Sequence, residues 1–137
     1  MNTPKFSFFT TNEIKPKGWL KKQLEIQANG LCGNLDKVWP DVRDSAWIGG
    51  NREGWERVPY WLDGFIPLAY LLGNEDMISR AQTYINAIIA AQKNDGWICP
   101  CADNARNNYD TWAVLLVCKV LCLYCDCSKD DSVIKII

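Results

Sequence analysis

The sequence predicts an all-α fold of helical hairpins arranged in two layers, as a toroid or solenoid. Four segments carry helical periodicity, they alternate between amphipathic and apolar on every side, and a junction motif recurs further along the chain. A helix that is apolar all round has to be covered on both sides, so helices of that kind form an inner layer and the amphipathic ones an outer layer.

Gly18 to Leu31 reads as the first helix, with Trp19, Leu20, Leu24, Gln27 and Leu31 on one face and Lys21, Lys22 and Glu25 turned to solvent. Pro59 to Leu72 is the first all-apolar helix. Pro59 suits its first turn, Asp63 is its only charge, Pro67 should kink it, and Gly73 ends it. Glu75 to Gln92 is amphipathic again, with a stripe of Ile78, Ala81, Ile85, Ile88 and Gln92. Asn74 is placed to cap it, and Glu75 and Asp76 sit at the positive end of its dipole. Asp110 to Cys125 is the second all-apolar helix, Lys119 being its one charge beyond the first turn, and Asp131 to Ile137 begins a fifth helix. The repeat lies at the junctions: LLGNEDMIS at 71–79 and CDCSKDDSVI from Cys125 onward, about 55 residues apart, both put small or polar residues before an acidic helix start.

Connections leaving the apolar helices are short, Gly73 to Asn74 and Ser128 to Asp130, whereas those entering them are long, Cys32 to Val58 and Lys93 to Tyr109. In a two-layer toroid both long loops fall at one end, around the N-termini of the inner helices, and long loops in compact domains are often functional. The final IKII leaves an apolar turn without a cap, and two inner helices cannot close a ring. The expectation is a single, incomplete domain over residues 1–137 with exposed apolar flanks.

With 137 residues and hydrophobic side chains at 48%, the chain can build one core and gives no reason to propose two domains. Its 15 basic and 16 acidic residues are interspersed, so there is no basic surface for a phosphate backbone and nucleic acid is not an expected partner. A membrane is not expected either: the most apolar stretch, Trp112 to Cys125, is interrupted by Lys119 and falls short of the roughly 20 residues that cross a bilayer. In MNTPKFSFFTTNEIKPKGW, Phe6, Phe8 and Phe9 run at once into Thr10, Thr11, Asn12 and Glu13, which is not the apolar core of a signal peptide. Cys118, Cys122, Cys125 and Cys127 crowd into one helix and its end instead of forming a disulfide framework, so free thiols in the cytoplasm are expected. Cys99 with Cys101, Cys122 with Cys125 and Cys125 with Cys127 invite a zinc hypothesis. Helical core spacing and the absence of histidine favour buried small hydrophobes instead.

The long loops hold Trp39, Trp47, Trp55 and Trp97 among carboxylates, amides and guanidiniums. Flat aromatic faces suit the C–H faces of sugars, and the polar groups suit their hydroxyls. The candidate substrate-binding residues are Trp47, Glu53, Trp55, Glu56, Tyr60, Asp63, Trp97 and Asp110. Glu56 and Asp110 stand at the starts of successive inner helices, and paired carboxylates at such a mouth are what glycoside hydrolysis requires. Helix capping is the alternative for both, and loop anchoring is the alternative for each tryptophan. Asp63 stands out because a carboxylate inside an apolar helix is costly unless paired or facing water.

Three stretches, IKPKGWLKKQLEIQANGLCGNLDKVWPD, GWERVPYWLDGFIPLAYLLGNEDMISRAQTYINAIIAAQKNDGW and DTWAVLLVCKVLCLYC, resemble the start of the catalytic domain of glycoside hydrolase family 127, the β-L-arabinofuranosidase-like enzymes. YWLDGFIPLAYLLGNEDM and QKNDGW are the most specific pieces, and nearly the whole chain is covered. The resemblance implies a partial (α/α)6 toroid of about two and a half helical hairpins. It implies a carbohydrate partner, an L-arabinofuranoside or related glycoside, and retaining hydrolysis in bacterial sugar breakdown. For the full-length family it also implies zinc, holding a cysteine thiolate nucleophile beside a glutamate acid/base. Those residues come from later in the barrel and none here matches them, so no catalytic residue and no cofactor is carried over to this chain. Only a place in the pocket wall is carried over, to the segment from Trp55 through Asp63.

The alternative is a non-catalytic carbohydrate- or ligand-binding protein of helical hairpins. A terpene-cyclase-like toroid, whose repeats resemble the Gln92, Gly96 and Trp97 arrangement, ranks well below the glycosidase because the motif occurs once and is not repeated at the 55-residue spacing.

Overall fold

The computed structural model describes Phe6 and residues 8–137, so the reading of the N-terminal segment as lacking a leader falls in part outside the described residues. The described chain is all-α. Its helices are α1 Gly18–Asn29, α2 Leu31–Val38, α3 Pro40–Arg43, α4 Arg57–Leu72, α5 Glu75–Ala90 and α6 Trp112–Ser128. Short 3-10 turns cover Ala46–Ile48, Asp103–Asn108 and Asp131–Ile136. Among the described residues no helix is long and apolar enough to cross a membrane.

Helix α4 lies at the centre and packs against all five other α-helices. Val58, Trp61, Leu62, Phe65, Ile66, Leu68 and Ala69 bury one half of its circumference. They meet Met77, Ala81, Tyr84, Ile85 and Ile88 of α5 and Val117, Val120, Leu121 and Tyr124 of α6 in a single core. The other half was expected to be covered too, and it is not. Tyr60, Asp63, Gly64 and Pro67 run down it at helical spacing, exposed or half-buried, beside a matching exposed stripe of Trp112, Leu115, Lys119 and Cys122 on α6. Helix α4 runs unbroken through Pro67. The missing Pro67 N–H orphans the Asp63 carbonyl on this open side, where water can satisfy it.

Three contacts fix how α4 and α6 lie. Ahead of both helices the Tyr109 hydroxyl donates to the Gly54 carbonyl, a separation of 55 residues. Midway, the Lys119 ammonium donates to the Asp63 carboxylate at 2.7 Å, a separation of 56. Near the ends, the Tyr70 and Tyr124 rings meet edge-on at 6.5 Å with almost the same offset. A constant offset defines a parallel pair, since in an antiparallel pair it would change from contact to contact. Helix α5, joined to α4 by a two-residue link, is the return element of this unit.

The junctions repeat with the helices. Gly73 closes α4 in the left-handed region at φ 61, and Lys129 closes α6 there at φ 64. The Asn74 side chain caps α5 by accepting from the Met77 N–H at 3.1 Å, and Asp130 accepts from the Ser132 N–H at 3.0 Å. A left-handed conformation costs a side-chain-bearing residue about 1–2 kcal/mol and glycine almost nothing. Lys129→Gly is therefore expected to stabilise the protein by about 1 kcal/mol in urea unfolding; an unchanged midpoint would count against this closure.

Two expectations need correcting. The apolar face of α1 docks only in part: Leu24 and Ala28 rest on the core, whereas Trp19 is 73% exposed and Leu20 and Leu31 are also exposed. The segment from Cys32 to Val58 is not an irregular loop, because α2 and α3 occupy nearly its first half. Gly33 makes α2 possible, since a Cβ there would lie 1.7 Å from the Ala28 carbonyl oxygen. Arg80 of α5 then grips α2, donating to Asp36 at 2.7 and 2.8 Å and to the Gly33 carbonyl at 3.0 Å.

Candidate functional site

The first loop is held by its own backbone. The buried Ser45 hydroxyl donates to the Glu53 carbonyl at 2.6 Å and accepts from the Trp47 N–H at 3.3 Å, and the Arg52 N–H donates to the Asp44 carbonyl at 3.0 Å. This places the Ala46–Ile48 turn against α5. Trp47 is only 1% exposed there, and its indole N–H donates to the Trp55 carbonyl at 2.9 Å.

The second loop turns at Gly96, φ 88, where the Lys93 N–H donates to the Trp97 carbonyl at 2.8 Å. Trp97 lies edge-on to Tyr109 at 6.0 Å and under the Arg106 guanidinium at 5.1 Å, and its indole N–H donates to the Cys99 carbonyl at 2.8 Å. Arg106 pairs with Asp95 and holds its carboxyl below the usual range; Lys93 does the same for Asp103. Burial pushes the Tyr109 hydroxyl up and the Cys99 thiol up to about 12, so both stay protonated at neutral pH. The Tyr109–Gly54 bond brings the two loops together at the N-terminal ends of α4 and α6.

Where α2 and α3 meet the first turn of α4 there is a cleft of about 370 Å³, lined by Leu35, Trp39, Glu56, Arg57, Tyr60 and Trp61. Trp39 is held extended between the two short helices by the following Pro40, which starts α3. Trp61 is almost wholly buried. Its ring packs on Phe65 at 4.4 Å and Tyr84 at 4.9 Å, and its indole N–H donates to the Cys32 carbonyl at 2.9 Å. The Arg57 guanidinium lies over the Trp39 ring at 4.7 Å and reaches Asp41 at 3.5 Å. Glu56 occupies the cap position of α4 yet makes no capping hydrogen bond. Glu53 does that instead, accepting from the Glu56 N–H at 2.8 Å and the Arg57 N–H at 3.4 Å.

Of the residues singled out by sequence, Glu56 and Tyr60 come together in this cleft. Trp55, 41% exposed, precedes them, and Asp63 follows one turn on, paired with Lys119. Trp47 has no free face, Trp97 is half-buried beneath Arg106, and Glu53 is engaged as a cap. Asp110 also caps, accepting from the Trp112 N–H at 2.9 Å. The cleft's remaining residues, Leu35, Trp39, Arg57 and Trp61, are not among the named candidates, although Arg57 and Trp61 fall within the segment from Trp55 through Asp63 that the resemblance gives a place in the pocket wall and Trp39 is one of the loop tryptophans. The available signal was Trp39–Pro40 and the placing of Arg57 directly after Glu56; it was hidden because α2 and α3 read as loop.

All seven cysteines are free thiols. Among the described residues no three His, Cys, Asp or Glu side chains gather as a metal site. No family model, curated protein or solved structure matches the chain.

Proposed function

We propose that this chain forms part of the wall of an (α/α)6 toroid and contributes a carbohydrate-binding cleft to a glycoside hydrolase resembling the β-L-arabinofuranosidases. It supplies recognition and not bond cleavage. The observation that carries this reading is the α4–α6 pair, parallel at a constant offset, with an open stripe on the side away from the core. Inner helices of a toroid are such neighbours, each displaced from the last by one repeat, and an open stripe of this kind faces the lumen. At the loop end of the pair, Trp39 and Tyr60 offer ring surface beside Glu56 and Arg57, the mixture that sugar C–H faces and hydroxyls require. The engagement of Glu53 and Asp110 as caps favours binding over acid–base chemistry.

The test is calorimetric titration with methyl L-arabinofuranoside. Saturable binding is expected, weakened about tenfold by Trp39→Ala through the loss of one stacking face, and unchanged by Trp19→Ala, an exposed residue of α1 that does not line the cleft. Absence of binding, or equal loss in both variants, would overturn the reading.

A further inference from the structure

We propose that the cleft selects among sugars by charge, taking a saccharide that carries an ammonium group, with Glu56 as the specificity-determining residue. This rests on the carbohydrate reading above and narrows it to a class of ligand.

The charges around the cleft are unequally satisfied. Arg57 is committed twice, to Asp41 at 3.5 Å and to the face of Trp39 at 4.7 Å, so Arg57 and Asp41 offset each other. Asp36, on the neighbouring α2, is locked to Arg80 at 2.7 Å. The first free amides of α4 are taken by Glu53. The carboxylate of Glu56 is left in the cleft lining with no cap bond and, among the described residues, no cation at ion-pair distance. It stands among the aromatic rings of Trp39, Tyr60 and Trp61, whose electron-rich faces attract cations, as the seating of Arg57 on Trp39 already illustrates. An ammonium group meets a carboxylate and ring faces here; a uronate carboxylate meets repulsion from Glu56.

The experiment titrates the purified chain with D-glucosamine, D-glucose and D-glucuronate at slightly acidic pH and low salt. Glucosamine is expected to bind about tenfold more tightly than glucose, the size of one charge-assisted contact in a part-exposed site. Glucuronate should bind more weakly than glucose, and added salt should narrow the spread. Glu56→Gln should abolish the preference, so that glucosamine and glucose bind the variant equally; because the Glu56 side chain makes no cap bond, the variant should match the parent in thermal melting. Equal binding of glucosamine and glucose by the parent, or a preference that survives Glu56→Gln, overturns charge selection and leaves the carbohydrate reading standing. Failure of all three sugars to bind overturns charge selection, and failure of methyl L-arabinofuranoside as well overturns the carbohydrate reading with it.

Discussion

Trp47→Ala is expected to destabilise the protein by about 3–5 kcal/mol, the range for removing a large buried aromatic side chain. Trp47 is 1% exposed, fastens the Ala46–Ile48 turn to α5, and holds the Trp55 carbonyl through its indole N–H at 2.9 Å. Trp47→Phe keeps most of the volume but strands that carbonyl, so a loss of about 1–2 kcal/mol is expected. Urea unfolding followed by circular dichroism measures both. If Trp47→Ala instead kept the parent's midpoint and lost sugar affinity, Trp47 would be a ligand platform and not an anchor.

Arg80→Ala is the second large effect, about 3 kcal/mol, because it leaves Asp36 as an uncompensated charge whose side chain is only 8% exposed. Arg80 also lies over Phe65 at 5.0 Å and pairs with Asp76 at 3.0 Å, so it ties α2, α4 and α5 together. Arg80→Lys should recover only part of the loss, since an ammonium cannot make the forked contact to Asp36 and reach the Gly33 carbonyl as well. Adding Asp36→Asn to Arg80→Ala should restore stability by removing the stranded charge. A double variant no more stable than the single one would show that the cost lies in lost packing on Phe65.

The long helices were legible because their signals are local. Periodicity and the caps at Asn74 and Gly73 place α5 and the end of α4 to within a residue or two. The lone charges of the two apolar helices, Asp63 and Lys119, were each conspicuous, and the structure joins them at 2.7 Å. Helix α2 was not legible because Gly33 and Asn34 are poor helix formers; the contacts that compensate, Arg80 to Asp36 and Leu35 to the core, come from distant sequence. The cleft was lost with it, since its wall opposite α4 is Leu35 of α2 and Trp39 at the α2–α3 junction. Trp47 and Trp55 lie eight residues apart in one loop and read alike in sequence, yet one is buried and the other exposed. That difference is set by the turn at Ser45, whose hydroxyl bonds within the loop.

The most direct test of the central claim, that the Trp39 cleft at the loop end of the α4–α6 pair is a carbohydrate site, is NMR of the indole N–H groups of the seven tryptophans during titration with methyl L-arabinofuranoside. The expected result is saturable movement of the Trp39 and Trp61 resonances, with Trp19 and Trp47 stationary. Stationary Trp39 and Trp61 signals at saturating sugar, or movement confined to Trp19 or Trp97, would contradict it.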